Sequence, residues 1–205
     1  VQPFYRVAGG TQDNFSMIGP SRTRTVNGIR NADWIITQGG DGFGSAMDPS
    51  DPNIAYAQAQ FGVLSRFNPA TGDAMGIQPE DAADGPGLRW NWDSPLMVSP
   101  HSPTRLYFPA ERLLRSDDGG NSWRIISPDL SRNIDRTKLK MMDRVQSVDA
   151  VARNQSTTLF GNITTIAESP LQEGLLITGT NDGRISVTEG GGTTWRSIDR
   201  FATVP

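Results

Sequence analysis

The 205-residue sequence predicts an all-β chain, a β-propeller of about four blades built from four-stranded antiparallel sheets. Three observations carry that prediction: a recurring pattern, a surplus of turn residues, and short alternating apolar runs. The pattern is a short apolar strand, a proline-centred turn, a second strand, a turn and a third strand. Its copies lie at residues 43–56 and 62–66, at 94–107 and 112–116, and at 163–170, 175–178 and 184–188. The marker prolines Pro49, Pro100 and Pro170 are 51 and 70 residues apart. The first interval fits a propeller blade, whose repeats run about 40–50 residues. A polar stretch at 129–157 supplies the excess in the second. The 22 glycines and 14 prolines make about 18% of the chain against a usual ~12%, which favours many turns over long helices. Alternating apolar residues, with proline at strand edges and glycine in turns, suit short antiparallel strands.

Taken in order, residues 5–8 read as a strand, 9–14 as a turn and 15–18 as the next strand, an incomplete first copy. The expected blade remnants are about 1–30, 31–90, 91–157 and 158–205, with an insertion loop at 129–157. In that insertion Ile134, Leu139, Met142 and Val145 have a modest helical spacing, so it holds a short helix or a loop lining a cleft. Its Arg132, Arg136, Lys138, Lys140 and Arg144 either meet an acidic ligand or form a solvated face. A sandwich of short strands is the alternative architecture. Four blades rarely close a ring, so the expectation is a piece of a larger propeller, completed by the remainder of a longer chain or by a second copy.

Composition removes several function classes. A net charge of −3 and an isoelectric point of about 5.1 argue against a broadly basic nucleic-acid surface. The absence of cysteine excludes disulfides, thiolate metal sites and thiol catalysis. His101 is the only histidine, so histidine triads and multi-histidine metal centres are excluded and no metal or cofactor is expected. No apolar run nears the ~18–20 residues of a membrane span.

One motif recurs at the same place in the aligned repeat. After the third strand of the second copy comes Ser116-Asp-Asp-Gly-Gly-Asn-Ser-Trp123, and the third copy ends in Thr188-Glu-Gly-Gly-Gly-Thr-Thr-Trp195. A tight hairpin explains the residue types: an Asp carboxylate accepts turn N–H groups, glycine takes φ > 0, and tryptophan packs between sheets. Ser116, Asp118, Gly120 and Trp123 resemble the Asp-box, S/T-x-D-x-G-x-x-W, of the bacterial-neuraminidase-like repeat propellers. Thr188, Gly192 and Trp195 repeat it in degenerate form, with Gly190 where the Asp belongs. The resemblance is to the sortilin-type and xyloglucanase-type branch, which includes bacterial glycosyl hydrolase-like repeat proteins. It implies that Asp118 is a fold residue on the face away from the ligand. It also implies a carbohydrate-active propeller, secreted or periplasmic, that binds polysaccharide and hydrolyses glycosides with paired carboxylates. The alternative is a non-catalytic, sortilin-like scaffold that binds peptide or protein.

With strands A to D running outward from the axis, the B–C and D–A loops share one face. The turns at 48–53, 99–104 and 169–174, and with them His101, fall on the other. The first face gathers the turns at 10–14, 59–62 and 180–183 and the connections at 38–42, 89–93 and 129–162. It brings together Gln12, Asp13, Asn14, Asp41, Trp90, Asn91, Trp92 and Asp93. Amides bond sugar hydroxyls, indoles stack on pyranose C–H surfaces, and two carboxylates serve as acid and base. Asp41, with Asp13 or Asp93, is the candidate catalytic pair; Gln12, Asn14, Trp90, Asn91 and Trp92 are the candidate ligand contacts. Plainer readings stand beside these. Asp13-Asn14 and residues 181–183 are turn formers. Trp90 and Trp92 alternate, so both point one way off a strand, to pack between blades or to stack on ligand. The run Gly39-Gly-Asp-Gly42 lacks the lysine and helix start of a phosphate loop, and its glycines suit a tight crossing near the axis.

Overall fold

The strands form where short alternating runs are bounded by proline, glycine and Asx turns. In a computed structural model, which describes residues 5–81, 87–151, 153 and 159–198, they build four consecutive antiparallel sheets. The first holds β1 (Arg6–Gly10), β2 (Ser16–Pro20) and β3 (Ile35–Gln38), in that order. The second holds β4 (Ser45–Met47), β5 (Ala55–Gln58), β6 (Leu64–Phe67) and β7 (Ala74–Gly76); the third, β8 (Met97–Val98), β9 (Leu106–Pro109), β10 (Leu113–Ser116) and β11 (Arg124–Ile125). After a small hairpin of β12 (Lys140–Met141) and β13 (Arg144–Val145) comes the fourth, β14 (Ile163–Glu168), β15 (Leu176–Thr180), β16 (Ile185–Thr188) and β17 (Arg196–Ile198). Each sheet is a meander, and the last strand of one leads to the first of the next. The first strands lie side by side, β1 against β4 and β4 against β8, as the inner strands of propeller blades do. The strand Ile35–Gln38 lies beyond the expected 30/31 division but pairs with β2. Among the described residues there is no α-helix, and none long and apolar enough to cross a membrane.

The repeat phase follows from matching hydrogen bonds. The backbone pairs Asp48→Ile54, Ser99→Arg105 and Ser169→Leu175 close equivalent turns between first and second strands. Among the described residues of the insertion, a single 3-10 turn at Arg136–Lys138 precedes the hairpin, whose two-residue tip holds Met142 (φ 53°) and Asp143 (φ 64°) in left-handed conformations, and no longer helix forms. A helix there needs a surface to bury its apolar stripe, and Met141, Met142 and Val145 are all exposed.

The third sheet is buried on both faces. On β9 the side chains alternate, as strand geometry requires. Leu106 and Phe108 enter a cluster with Tyr56, Leu64, Ile77 and Trp90 of the preceding segment. Tyr107 enters the opposite cluster with Leu113, Leu130, Ile163 and Leu176. Full burial of a Leu or Phe side chain contributes about 1.5–3 kcal/mol, so these two inter-sheet layers are the main apolar support.

The outer hairpins of the third and fourth sheets also lock onto the sheet before them. The Ser116 hydroxyl accepts the Gly120 N–H (2.8 Å) and donates to Asp118 Oδ1 (2.8 Å), which also accepts the Ser122 N–H (2.9 Å). Gly120 (φ +90°) fits against Ile77, where a Cβ would come within 2.5 Å of its Cδ1. Trp123 Nε1 donates to the Ile77 carbonyl (2.8 Å). In the fourth sheet Thr188 Oγ1 accepts the Gly192 N–H (3.1 Å) and Trp195 Nε1 donates to Ile126 O (3.1 Å). Gly190 stands in place of the Asp and brings no carboxyl; the Thr193 hydroxyl donates to the Gly190 carbonyl (2.8 Å), as Asn121 Nδ2 does to the Asp118 carbonyl (2.7 Å). The second sheet uses another turn: Asn68 Oδ1 accepts the Ala70 and Thr71 N–H groups, and Gly72 takes φ +82°.

Hydrogen bonds from the Ser122 hydroxyl and N–H and from Ser116 hold the Asp118 carboxyl down to about 2. A carboxyl depressed on folding stabilises the fold above its ordinary value near 4, and that contribution is lost as pH falls through about 2. Asp118→Asn is therefore expected to lower Tm near neutrality, with the gap to the parent protein closing between pH 4 and 2. A gap that stays constant over that range contradicts the assignment.

Candidate functional site

The face carrying the second-to-third-strand turns is built from one repeated clip. In the five-residue turns the backbone pairs Thr11→Phe15, Ala59→Val63 and Thr180→Arg184 mark equivalent positions, and Ala110→Arg112 marks a shortened one. The next residue carries an acyl oxygen that takes N–H groups from the chain entering the same sheet. Gln60 Oε1 accepts from Asp41 (3.1 Å), Glu111 Oε2 from Arg89 (2.7 Å), and Asn181 Oδ1 from Gly161 and Asn162 (2.8 and 3.1 Å). Asp182 adds a bond from the Arg132 N–H (2.7 Å). Arg89 then ties two connections together through Asp129 (2.7 Å), Ser131 and the Gly161 carbonyl.

These clips account for several of the sequence candidates. Asp41 is buried, and its Oδ1 accepts the Asp13 N–H (2.9 Å), so these two candidates do meet. Asp13 itself is exposed at φ 66°, the left-handed position of its turn. Gln12 and Asn14 are exposed, and Asn14 Nδ2 donates to the Gln12 carbonyl (3.3 Å). Asn91 is buried, donating to Asn162 Oδ1 (2.9 Å) and accepting the Asp93 N–H (3.0 Å). Asn162 is wholly buried. His101 is exposed on the opposite face, its Nε2 2.8 Å from the Ser169 carbonyl.

The two tryptophans part company. No strand runs through residues 89–93, so the period-two argument does not hold. Trp90 is buried in the core, its ring 5.0 Å from Phe108 and directly beneath Gly62, where a Cβ would come within 2.3 Å of the indole. Trp92 is half-buried and sits edge-on to Phe43 (6.2 Å, 75°) and Phe61 (5.1 Å, 87°). Asp93, next along, is exposed at the rim, and partial desolvation pushes its carboxyl above the ordinary value.

Sequence reading placed Phe61 in a turn but gave it no role. Its ring is exposed and its backbone is left-handed (φ 57°, ψ 41°), a conformation costing a residue with a Cβ about 1–2 kcal/mol. The surroundings hold it there: Gln60 is clipped to Asp41, Gln78 Nε2 donates to the Phe61 carbonyl (3.2 Å), and Gly62 sits on Trp90. The available signal was comparative, because both other five-residue turns have Asp at that position, Asp13 and Asp182.

The arrangement is an aromatic corner, with a partly desolvated carboxyl on the residue that follows Trp92, on the loop face of successive sheets. The fold is all-β, part of a β-propeller. The GH74 xyloglucanase from Xanthomonas campestris superposes with a TM-score of 0.50 at 19% identity, over 86% of this chain and 25% of that one. In sequence the chain is similar to the oligoxyloglucan-reducing end-specific xyloglucanase of Emericella nidulans, 26% identical over 169 residues. That match covers 82% of this chain and 19% of the enzyme, so the chain spans about a fifth of that relative's length. YCF48 bound to D1 peptide superposes with a TM-score of 0.43 at 15% identity, over 76% of this chain and 38% of that one. No protein-family profile matches the chain.

Proposed function

We propose that this chain forms part of a carbohydrate-active propeller, with the polysaccharide lying along the face that bears Trp92, Phe61 and Asp93. The observation that carries the reading is the aromatic corner itself. Ring faces and edges stack against pyranose C–H surfaces, and the adjoining carboxyl reaches sugar hydroxyls or a glycosidic oxygen. Similarity to two xyloglucanases makes a glucan backbone the first substrate class to test. In this reading the hairpins at Ser116–Trp123 and Thr188–Trp195 are Asp-box turns, because both hydroxyls and both indoles have matching hydrogen-bonding partners. A polysaccharide ligand also implies a location outside the cytoplasm, secreted or periplasmic.

Among the carboxyls, Asp93 is the proposed general acid. Burial pushes its carboxyl above the ordinary value, the direction a general acid needs, whereas Asp41 Oδ1 accepts the Asp13 N–H and acts as a brace. The intact protein is to be titrated with xyloglucan and cellulose-derived oligosaccharides and with a peptide panel, and new reducing ends counted. Trp92→Ala is expected to weaken glucan binding at least ~10-fold, about 1.4 kcal/mol. Asp93→Asn is expected to abolish hydrolysis while leaving binding within about twofold. Peptide binding without glucan binding favours the scaffold alternative and overturns this reading.

A further inference from the structure

Resting on that reading, we infer that Phe61 is a stacking residue for the ligand, contacting the C–H face of a pyranose in an equatorially linked glucan. The turns of the chain provide their own comparison. At the third position of the five-residue turn, the first and fourth sheets carry Asp13 and Asp182, and the first holds Asp13 at φ 66°. Asp tolerates the left-handed region, because its short polar side chain bonds locally. The second sheet puts a phenylalanine there, at φ 57° and 45% exposed. Backbone preference does not favour that choice, the ring packs edge-on to Trp92 and leaves much of its surface open, and a bulky residue held in this region by its surroundings points to a site.

The ring is also aimed. Trp92 stands 5.1 Å away at 87°, so two perpendicular aromatic surfaces meet at the rim, one residue along the chain from Asp93. Equatorially linked glucans present flat C–H faces and hydroxyl-lined edges. Such a chain satisfies rings and carboxyl together, with face against aromatic and edge toward carboxyl.

The test is Phe61→Asn in the intact protein, with Phe61→Tyr alongside, using cellohexaose and a xyloglucan oligosaccharide as probes. The asparagine variant relieves the strain and removes the ring. Its Tm is expected to rise by about 2–4 °C while its affinity for either probe falls at least tenfold; the tyrosine variant retains affinity. If the parent binds and Phe61→Asn binds equally well, the inference is overturned and the proposed function stands. If Phe61→Asn lowers Tm, the ring is structural and the inference is likewise overturned. If the parent binds neither glucan, the functional reading falls and takes the inference with it.

Discussion

Gly42→Ala is expected to cost about 3 kcal/mol or more of stability, enough to leave little folded protein. Gly42 is buried where the connection leaving the first sheet crosses that sheet's own β1–β2 turn, and its N–H donates to the Thr11 carbonyl (3.0 Å). A Cβ added there would lie 2.0 Å from the Phe15 carbonyl oxygen and 2.6 Å from the Thr11 nitrogen. Those are backbone atoms, so no rotamer change relieves the clash. Gly39, three residues earlier in the same run, is exposed and has nothing within 4 Å of an added Cβ, so Gly39→Ala is the matched control. Urea unfolding of the two variants decides the matter. Equal midpoints would refute the crossing as the reason for glycine.

Glu168→Ala is expected to destabilise by about 3–5 kcal/mol. Glu168 is buried at the end of β14 and gathers three neutral donors: the Ser99 hydroxyl (2.6 Å), the Tyr107 hydroxyl (3.1 Å) and the Gly174 N–H (3.0 Å). Burial, reinforced by the neighbouring Glu168, pushes the Tyr107 hydroxyl up to about 12. Two of these donors belong to the third sheet, so the carboxyl group staples it to the fourth. Truncation leaves three buried donors without their acceptor and opens a cavity between the sheets. Glu168→Gln keeps the packing but turns an amide toward one donor, so an intermediate loss is expected. Chemical denaturation with an unchanged m-value is the measurement. A loss below about 1 kcal/mol for the alanine variant would mean water or rearrangement supplies the missing partner.

The architecture was legible because its signals are local. Alternation along β9, the turns beginning at Asp48, Ser99 and Ser169, and the hydroxyl–glycine–tryptophan spacing each operate within a few residues. The hairpin at Asn68 was legible too, in Asn-Pro followed by Gly72, but it lacks the tryptophan that drew attention to the others. The site was less legible because its logic is tertiary. Asp41 drew attention as an acid between glycines, yet its carboxyl is occupied by a backbone N–H 28 residues away. Trp90 and Trp92 looked equivalent by alternation, but without a strand at 89–93 one indole turns into the core and the other stays at the rim. Glu168 carried no signal, since its hydroxyl partners lie 69 and 61 residues distant.

The two indole clamps both reach backwards along the sequence, Trp123 to Ile77 and Trp195 to Ile126. That gives the assembly a polarity. The bonds that seat the third and fourth sheets require only chain already made, and the earlier clamp does not wait for the later one. Synthesis delivers the chain amino end first at about 5–20 residues per second, while hairpins form in roughly microseconds. Each sheet can therefore settle against a finished predecessor before the next has left the ribosome, and translation itself supplies the order in which the layers are stacked.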